Sequence, residues 1–345
     1  MLEHDEVEQF LAATFPPQGP DVGLRLVARW ANPDLGLPEG RARIFIPDIH
    51  LLSNAAARRF PNTGFRMKEE FTRFLKALTG FKNIHPGDLD VFQLGDFFDI
   101  WRTKGSNSKK KVDEVAADHG ELLALLLYGP PLGARARVVA GNHDYDLHNL
   151  GEWNLPRFWF LNDSPAGVPD ALALHGDSFD FIEDFFPDDL KALAVQLATQ
   201  ASAGQHELDH EDLVGVLALN DQIPRADVPV GVSQAEFSAG GSPTEPQFNV
   251  VRWTSTVGAV GKYFRAAAGM AMELRERRRD IRLVVCGHSH DARIVVGDRG
   301  DGVTLALMDC GAWIGQCRFG LDSSWRKSAQ IGVLIQNDAR IYQLA

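Results

Sequence analysis

Five times along this chain a short apolar run stops abruptly at aspartate, histidine or asparagine. Ile44-Phe45-Ile46-Pro47 runs into Asp48-Ile49-His50, and Val91-Phe92-Gln93-Leu94 into Gly95-Asp96-Phe97-Phe98-Asp99. Arg137-Val138-Val139-Ala140 leads to Gly141-Asn142-His143-Asp144. Ala171-Leu172-Ala173-Leu174 leads to His175-Gly176-Asp177, and Leu283-Val284-Val285-Cys286 to Gly287-His288-Ser289-His290. Each run reads as a buried strand. In open α/β sheets ligands bind beyond the carboxyl ends of the strands. Five such ends can converge on one site, and their side chains are of the kinds that bind divalent cations.

The segments between the runs fit that architecture. From Met67 to Leu78 the spacing puts Phe71, Phe74, Leu75 and Leu78 on one helical face, with Gly80 as the expected stop. Residues 102–111 form a polar, basic loop, and Val112 to Tyr128 is predicted helical up to Gly129-Pro130-Pro131. Strand, helix, strand, helix, strand predicts an α/β core. Residues 3–13 are expected to form a short helix, followed by an irregular lead-in rich in Pro and Gly, so that the core begins at Arg41. The expected organisation is an N-terminal extension over 1–40 and one domain over 41–345, with an insertion at 178–265. That insertion mixes Phe179, Phe181, Phe185 and Phe186 with acidic residues. It has a predicted helix from Leu190 to Ala201, turns rich in Pro, Gly, Ala and Ser from Ile223 to Gln247, and reads as a cap. A helix from Val257 to Arg279 ends in Arg275-Glu276-Arg277-Arg278-Arg279, read as a solvated face whose cations suit a helix C-terminus. Val303–Met308 and Ile331–Ile335 are predicted strands, with Asn337-Asp338 turning the chain into Ile341–Leu344.

The formal net charge of −11 argues against non-specific binding to nucleic acid, which needs basic surface. Three cysteines, Cys286, Cys310 and Cys317, show no framework spacing and fit a reducing compartment. The acidic start Met1-Leu2-Glu3-His4-Asp5-Glu6 does not read as a secretory signal, and no apolar stretch reaches the ~20 residues of a membrane span. The expected location is cytoplasmic.

The chemistry resides in the strand ends. Asp48 and His50, two residues apart in an extended chain, point the same way and can reach one ion. Asp96 has two carboxylate oxygens and can bridge two cations, with Asp99 close by as an orienting partner. Asn142 offers a neutral oxygen, while the adjacent His143 can give a proton to a leaving group. Asp144 reads as a cap for the segment after it, and Asp177 as a partner for the second nitrogen of His175. His288 and His290 can address two different ions, with Ser289 between them as a turn residue. His4, His85, His119, His148, His206 and His210 lack this setting and read as surface or core residues, while Phe97, Phe98 and Trp101 read as core, with an apolar wall for an acyl chain or base as the alternative. Seven candidate ligands, Asp48, His50, Asp96, Asn142, His175, His288 and His290, are too many for one ion. Two ions sharing Asp96 would each have four protein ligands, a two-metal hydrolase arrangement.

The order Asp-x-His, Gly-Asp-x-x-Asp, Gly-Asn-His-Asp, His, Gly-His-x-His, spread from Asp48 to His290, resembles the calcineurin-like metallophosphoesterase superfamily. The resemblance implies a sandwich of two mixed β-sheets flanked by helices. It also implies that Asp48, His50, Asp96 and His290 hold one metal and that Asp96, Asn142, His175 and His288 hold the other. His143 matches the general acid and Asp99 the residue that orients it. Gly95-Asp96-Phe97-Phe98-Asp99-Ile100-Trp101, His175-Gly176-Asp177 and Asp309-Cys310-Gly311-Ala312-Trp313 look closest to the UDP-2,3-diacylglucosamine diphosphatase-like branch. That branch typically carries Arg where this chain has His143, and lacks so long an insertion.

The expected reaction is hydrolysis of a phosphate ester or pyrophosphate of a small molecule or lipid head group. A hydroxide between two divalent ions (Mn, Fe or Zn) attacks phosphorus in line, and His143 protonates the departing oxygen. Two alternatives stand beside it: a nuclease or phosphodiesterase acting on nucleic acid or cyclic nucleotides, and an inactive binding module with the same fold. Lys109-Lys110-Lys111 and Arg275–Arg279 keep a local basic surface open to the first, and the complete ligand set argues against the second.

Overall fold

The apolar runs become strands of two six-stranded sheets in the computed structural model. It describes residues 2–16, 23–35, 41–59, 65, 67–100, 103, 107–128, 136–144, 147, 155–162, 168–177, 179, 250–252, 258–276, 278–290, 292–317, 325–327 and 329–344. The strands in chain order are β1 (Arg25–Ala31), β2 (Ala42–Ile46), β3 (Leu89–Gln93), β4 (Ala136–Val138), β5 (Phe158–Phe160), β6 (Pro169–Leu174), β7 (Val250–Arg252), β8 (Asp280–Cys286), β9 (Arg293–Asp298), β10 (Thr304–Asp309), β11 (Gly315–Cys317), β12 (Trp325–Lys327), β13 (Gln330–Ile335) and β14 (Asp338–Gln343). The helices are α1 (His4–Thr14), α2 (Asn54–Arg59), α3 (Lys68–Ile84), α4 (Ser108–Leu123) and α5 (Gly258–Glu276).

The first sheet has the order β1-β14-β13-β2-β3-β4, the second β5-β6-β8-β10-β9-β7. Both are mixed: β2, β3 and β4 run parallel up to the edge of the first sheet, and β6, β8 and β10 run parallel in the middle of the second, with β5 and β9 antiparallel on either side. Alternation along each strand sorts its side chains between two cores. Phe45 and Phe92 of the first sheet meet Ala171, Leu283, Val285 and Met308 of the second in the layer between the sheets. Ile44, Ile46 and Val91 face α1, α3 and α4 on one outer side, while Leu172, Val284 and Leu307 face α5 on the other. This is the sandwich of two mixed sheets flanked by helices that the family resemblance implies.

Several local expectations are corrected. Gly80 does not stop α3, which continues to Ile84, because Gly80 lies on the exposed side with open space around it. An interior glycine costs a helix only ~1 kcal/mol, and Phe81, the next residue, packs against the core. The α4 helix starts a turn earlier than its apolar pattern suggests. Asn107 caps it, its side chain accepting from Lys110 N at 2.9 Å, so 107–111 are not loop. The irregular lead-in contains β1, which pairs with β14 and extends the first sheet. Strands β5, β7 and β9 have no counterpart in the sequence reading, being short or interrupted by polar residues. Within 178–265, Phe179, β7 and the start of α5 belong to the second sheet and its cover. The helix expected at 190–201 and the turns at 223–247 lie outside the described residues. No described helix is long and apolar enough to cross a membrane.

Candidate metal centre

Parallel strands deliver their carboxyl ends to one edge, and short backbone links hold those ends together. Leu94 N donates to Ile46 O at 2.9 Å, Val139 N to Gln93 O at 3.0 Å, Gly287 N to His175 O at 3.0 Å and Cys310 N to Cys286 O at 2.8 Å. The two sheets meet at Asp48, whose carbonyl accepts from Trp313 N at 2.7 Å and which bridges to Ala312. Trp313 is fully buried among Phe15, Phe71 and Phe74, so an aromatic cluster braces the tip of β2.

The seven residues named from sequence as ligands come together. His50 Nε2 stands 3.1 Å from His290 Nε2, and His290 Nε2 3.1 Å from Asp48 Oδ2. His288 Nδ1 stands 3.1 Å from His175 Nε2, which is 3.0 Å from Asn142 Oδ1 and 3.3 Å from Asp96 Oδ2. Asp96 Oδ2 lies 3.5 Å from His50 Nε2, so this carboxylate faces both groups. Donor atoms of Asp48, His50 and His290 lie within 4.8 Å of one another, as do those of Asp96, His175 and His288. A third such group joins His50, Asp96 and His143. Imidazole nitrogens aimed at one another across a hydrogen-bond length, with buried carboxylates between them, form the mixed O/N donor set that suits a divalent cation. His143 Nδ1 is 3.0 Å from Asp99 Oδ1, and its backbone N donates to Asp96 Oδ1 at 2.9 Å.

The backbone is strained where the donors sit. His50, Asp96, His288 and His290 have φ of 52°, 48°, 70° and 58°. Non-glycine residues rarely adopt this left-handed region, which costs of order 1–3 kcal/mol each, and such residues cluster at functional sites. Two glycines allow the close approach. A Cβ on Gly141 would lie 2.1 Å from Asp96 Oδ1, and one on Gly287 would lie 2.2 Å from Asp48 Oδ1.

Burial sets the electrostatics. It pushes the Asp96 carboxyl up, but the His175, His143 and His50 imidazoles more than reverse this and hold it well below the usual carboxylate range. Asp48 is likewise lowered, with His175 and His290 outweighing burial. Burial pulls the His175 imidazole down, yet Asp96 and Asp48 raise it well above its ordinary value. His50 is raised against burial by Asp99, Asp96 and Asp48. His143 is lowered, because burial outweighs Asp99 and Asp96 there. Binding a dication would replace these protons and so be linked to pH.

Three supporting residues were misread from sequence. Asp144 does more than cap the segment after it, where its carbonyl accepts from Leu147 N at 3.0 Å. It is fully buried, and its carboxylate accepts from Gly141 N at 2.7 Å and Phe97 N at 2.8 Å, clamping the ends of β3 and β4 together. Burial, with the charge of Asp96, pushes its carboxyl up to about 7. Asp177 does not hold His175, whose Nδ1 lies 2.8 Å from Leu94 O, and Asp177 instead takes Arg157 at 2.5 Å. Ser289 is more than a turn residue, since its hydroxyl donates to Asp309 Oδ2, fixing the strained turn that carries His288 and His290 to the tip of β10. The sequence signal for that bond was an aspartate at the last residue of an apolar run, the same grammar as the five named ends. Phe97 and Phe98 are core, as read, and Trp101 lies outside the described residues.

The family model described as calcineurin-like phosphoesterase matches residues 43–292, spanning all five strand ends. No curated protein matches the chain. The chain belongs to the calcineurin-like phosphoesterases, a family of metal-dependent phosphoric ester hydrolases.

Proposed function

We propose that this calcineurin-like phosphoesterase hydrolyses a phosphate ester or pyrophosphate of a small molecule or lipid head group at a dinuclear metal centre. In this reading Asp48, His50, Asp96 and His290 hold one divalent ion, and Asp96, Asn142, His175 and His288 hold the other. The observation that carries it is the position of Asp96, whose carboxylate stands between two separate donor groups. Bound dications supply Lewis-acid stabilisation of the phosphoryl oxygens and lower the pKa of water. Manganese, iron and zinc all suit this O/N set.

The chain's own residues divide the remaining work. His175 is held by Leu94 O at Nδ1 and His50 is buried beside Asp99, so the donors need little reorganisation when substrate arrives. Asp99 holds His143 by Nδ1, which leaves Nε2 as the ring position that hands a proton to the departing oxygen. His143 retains some exposure whereas Asp99 has none, as an acid that must meet substrate and its buried orienter require. The motif likeness to the UDP-2,3-diacylglucosamine diphosphatase-like branch favours a pyrophosphate linked to a sugar or lipid. Buried free thiols at Cys286 and Cys310 support a cytoplasmic setting.

A metal-supplemented panel tests the reading: an aryl monophosphate, an aryl diester, cyclic nucleotides and a nucleotide-diphosphate sugar. Turnover of the sugar pyrophosphate above the cyclic nucleotides is expected. His143→Ala should bind metal normally and lose ~10²–10⁴-fold in rate, most on poor leaving groups. Full metal content with no turnover of any substrate would leave a binding module instead.

A further inference from the structure

The arginine run at the end of α5 is solvated, with Arg275 and Arg278 exposed, but it also borders a concave surface. Arg275, Arg278, Arg279 and Arg282 join Arg299 and Asp280 around a cavity of about 440 Å³. It opens at the start of β8, whereas His288 follows the other end of that strand. Six residue steps at ~3.3 Å each put the two ends ~20 Å apart, so this cavity is separate from the candidate metal centre.

The guanidiniums are held in place. Arg299 is almost fully buried, with Nη1 2.6 Å from Asp280 Oδ1 and Nη2 2.8 Å from Asp301 Oδ2. Arg282 Nη2 lies 2.8 Å from Asp280 Oδ2, Arg275 pairs with Asp301, and Arg279 Nη1 lies 3.2 Å from Asp170 Oδ2 over the Phe160 ring. Three carboxylates thus serve four arginines, and Arg278 is the fifth guanidinium. Among the described residues it has no ion pair.

The placement of Arg278 is unusual. Its N donates to Arg275 O at 2.8 Å and Arg279 N donates to Leu274 O at 2.9 Å, the two bonds that close a helix in a Schellman motif. In that motif the residue in Arg278's position is left-handed and usually glycine, and Arg278 has φ 66°. The helix end would form more easily without this side chain, so helix termination does not explain an arginine there.

We propose that this cavity binds a phosphate-type oxyanion of about pyrophosphate size. Guanidinium groups from the end of α5, from β8 and from Arg299 reach one space from different directions. That suits a tetrahedral anion with several acceptor oxygens, since guanidinium forks match phosphate oxygens in pairs. The volume exceeds a single phosphate and falls within the range of small-molecule sites. The site stands independently of the proposed reaction.

Calorimetric titration of pyrophosphate into the full chain, at ionic strength matched with chloride, tests it. Asp96→Asn in the same chain removes competition from the candidate metal centre. Binding that persists in Asp96→Asn and weakens at least ~10-fold on adding Arg278→Gly is expected, with thermal stability unchanged or raised, because glycine relieves the left-handed strain. A purely structural arginine would give lower stability and no change in binding. Arg282→Gln, which touches a different wall, should weaken binding as well. Binding abolished by Asp96→Asn, binding indifferent to both arginine variants, or none above the chloride control would each overturn the proposal. Phosphatidylglycerol vesicles that compete with pyrophosphate would identify the phosphate as a lipid head group. Vesicles that fail to compete would identify it as a free phosphate compound.

Discussion

Gly141→Ala isolates the effect of close backbone approach at the candidate metal centre. The added methyl would lie 2.1 Å from Asp96 Oδ1 and 2.4 Å from Asp96 N, where ordinary contact begins at 3.4 Å. A carboxylate could rotate away, but a backbone nitrogen cannot, so the tips of β3 and β4 must separate by ~1 Å, a misplacement that can lower turnover ~10²-fold. The same shift breaks the fit of Asp144 between Gly141 N and Phe97 N and that of Asp96 beneath His143 N. Overpacking of this kind destabilises a fold by ~1–3 kcal/mol. Metal content, turnover of an aryl phosphate and urea unfolding should therefore all fall together. Gly80→Ala is the control: nothing lies within 4 Å of its added methyl, in the interior of a helix. That change should stabilise by ~0.5–1 kcal/mol and leave the metal untouched. If Gly141→Ala kept wild-type metal content and rate, the tight apposition of these two tips would not be what positions the Asp96 carboxylate.

Three further perturbations probe the supports. Ser289→Ala should weaken metal binding ~10-fold or more, as loss of outer-shell partners usually does, with Ser289→Thr restoring it; equal dissociation constants for all three chains would remove Ser289 from the site. Trp313→Ala should cost ~3–5 kcal/mol in denaturant unfolding, since its ring fills the space between Phe15, Phe71 and Phe74; a cost below ~1 kcal/mol would mean the aromatic brace is loose. His119 is buried with Nε2 2.8 Å from Leu52 O, and burial lowers its pKa from the ordinary value of 6.5. Below that value the unfolded chain takes up the proton first, so stability contributed by neutral His119 is present above pH ~6.5 and declines as pH falls toward the lower folded pKa. His119→Gln should flatten that decline in urea midpoints, and an unchanged slope would assign it to other groups.

The sequence carried the residues that cluster at the candidate centre and the class of the fold. Buried parallel strands need apolar side chains on both faces, so they show as uninterrupted runs, and a run that ends in a metal-binding residue type announces a strand tip. That grammar located Asp48, His50, Asp96, Asn142, His175, His288 and His290 without any knowledge of the pairing, and the outer helices declared themselves by period.

Tertiary structure alone decided which strands adjoin, and with that the residues that hold the donors. Asp144, Ser289 and Asp309 are small polar residues in turns or at strand ends, where the local default is a cap or a solvated side chain. Their role arises from partners 47 and 20 positions away in the chain, a distance over which residue type and periodicity carry no information. The same holds for Arg278, whose surroundings are set where the end of one helix meets the turn between two later strands. Periodicity reports which face of an element is buried. What lies opposite a polar side chain depends on long-range packing, and only the folded chain supplies it.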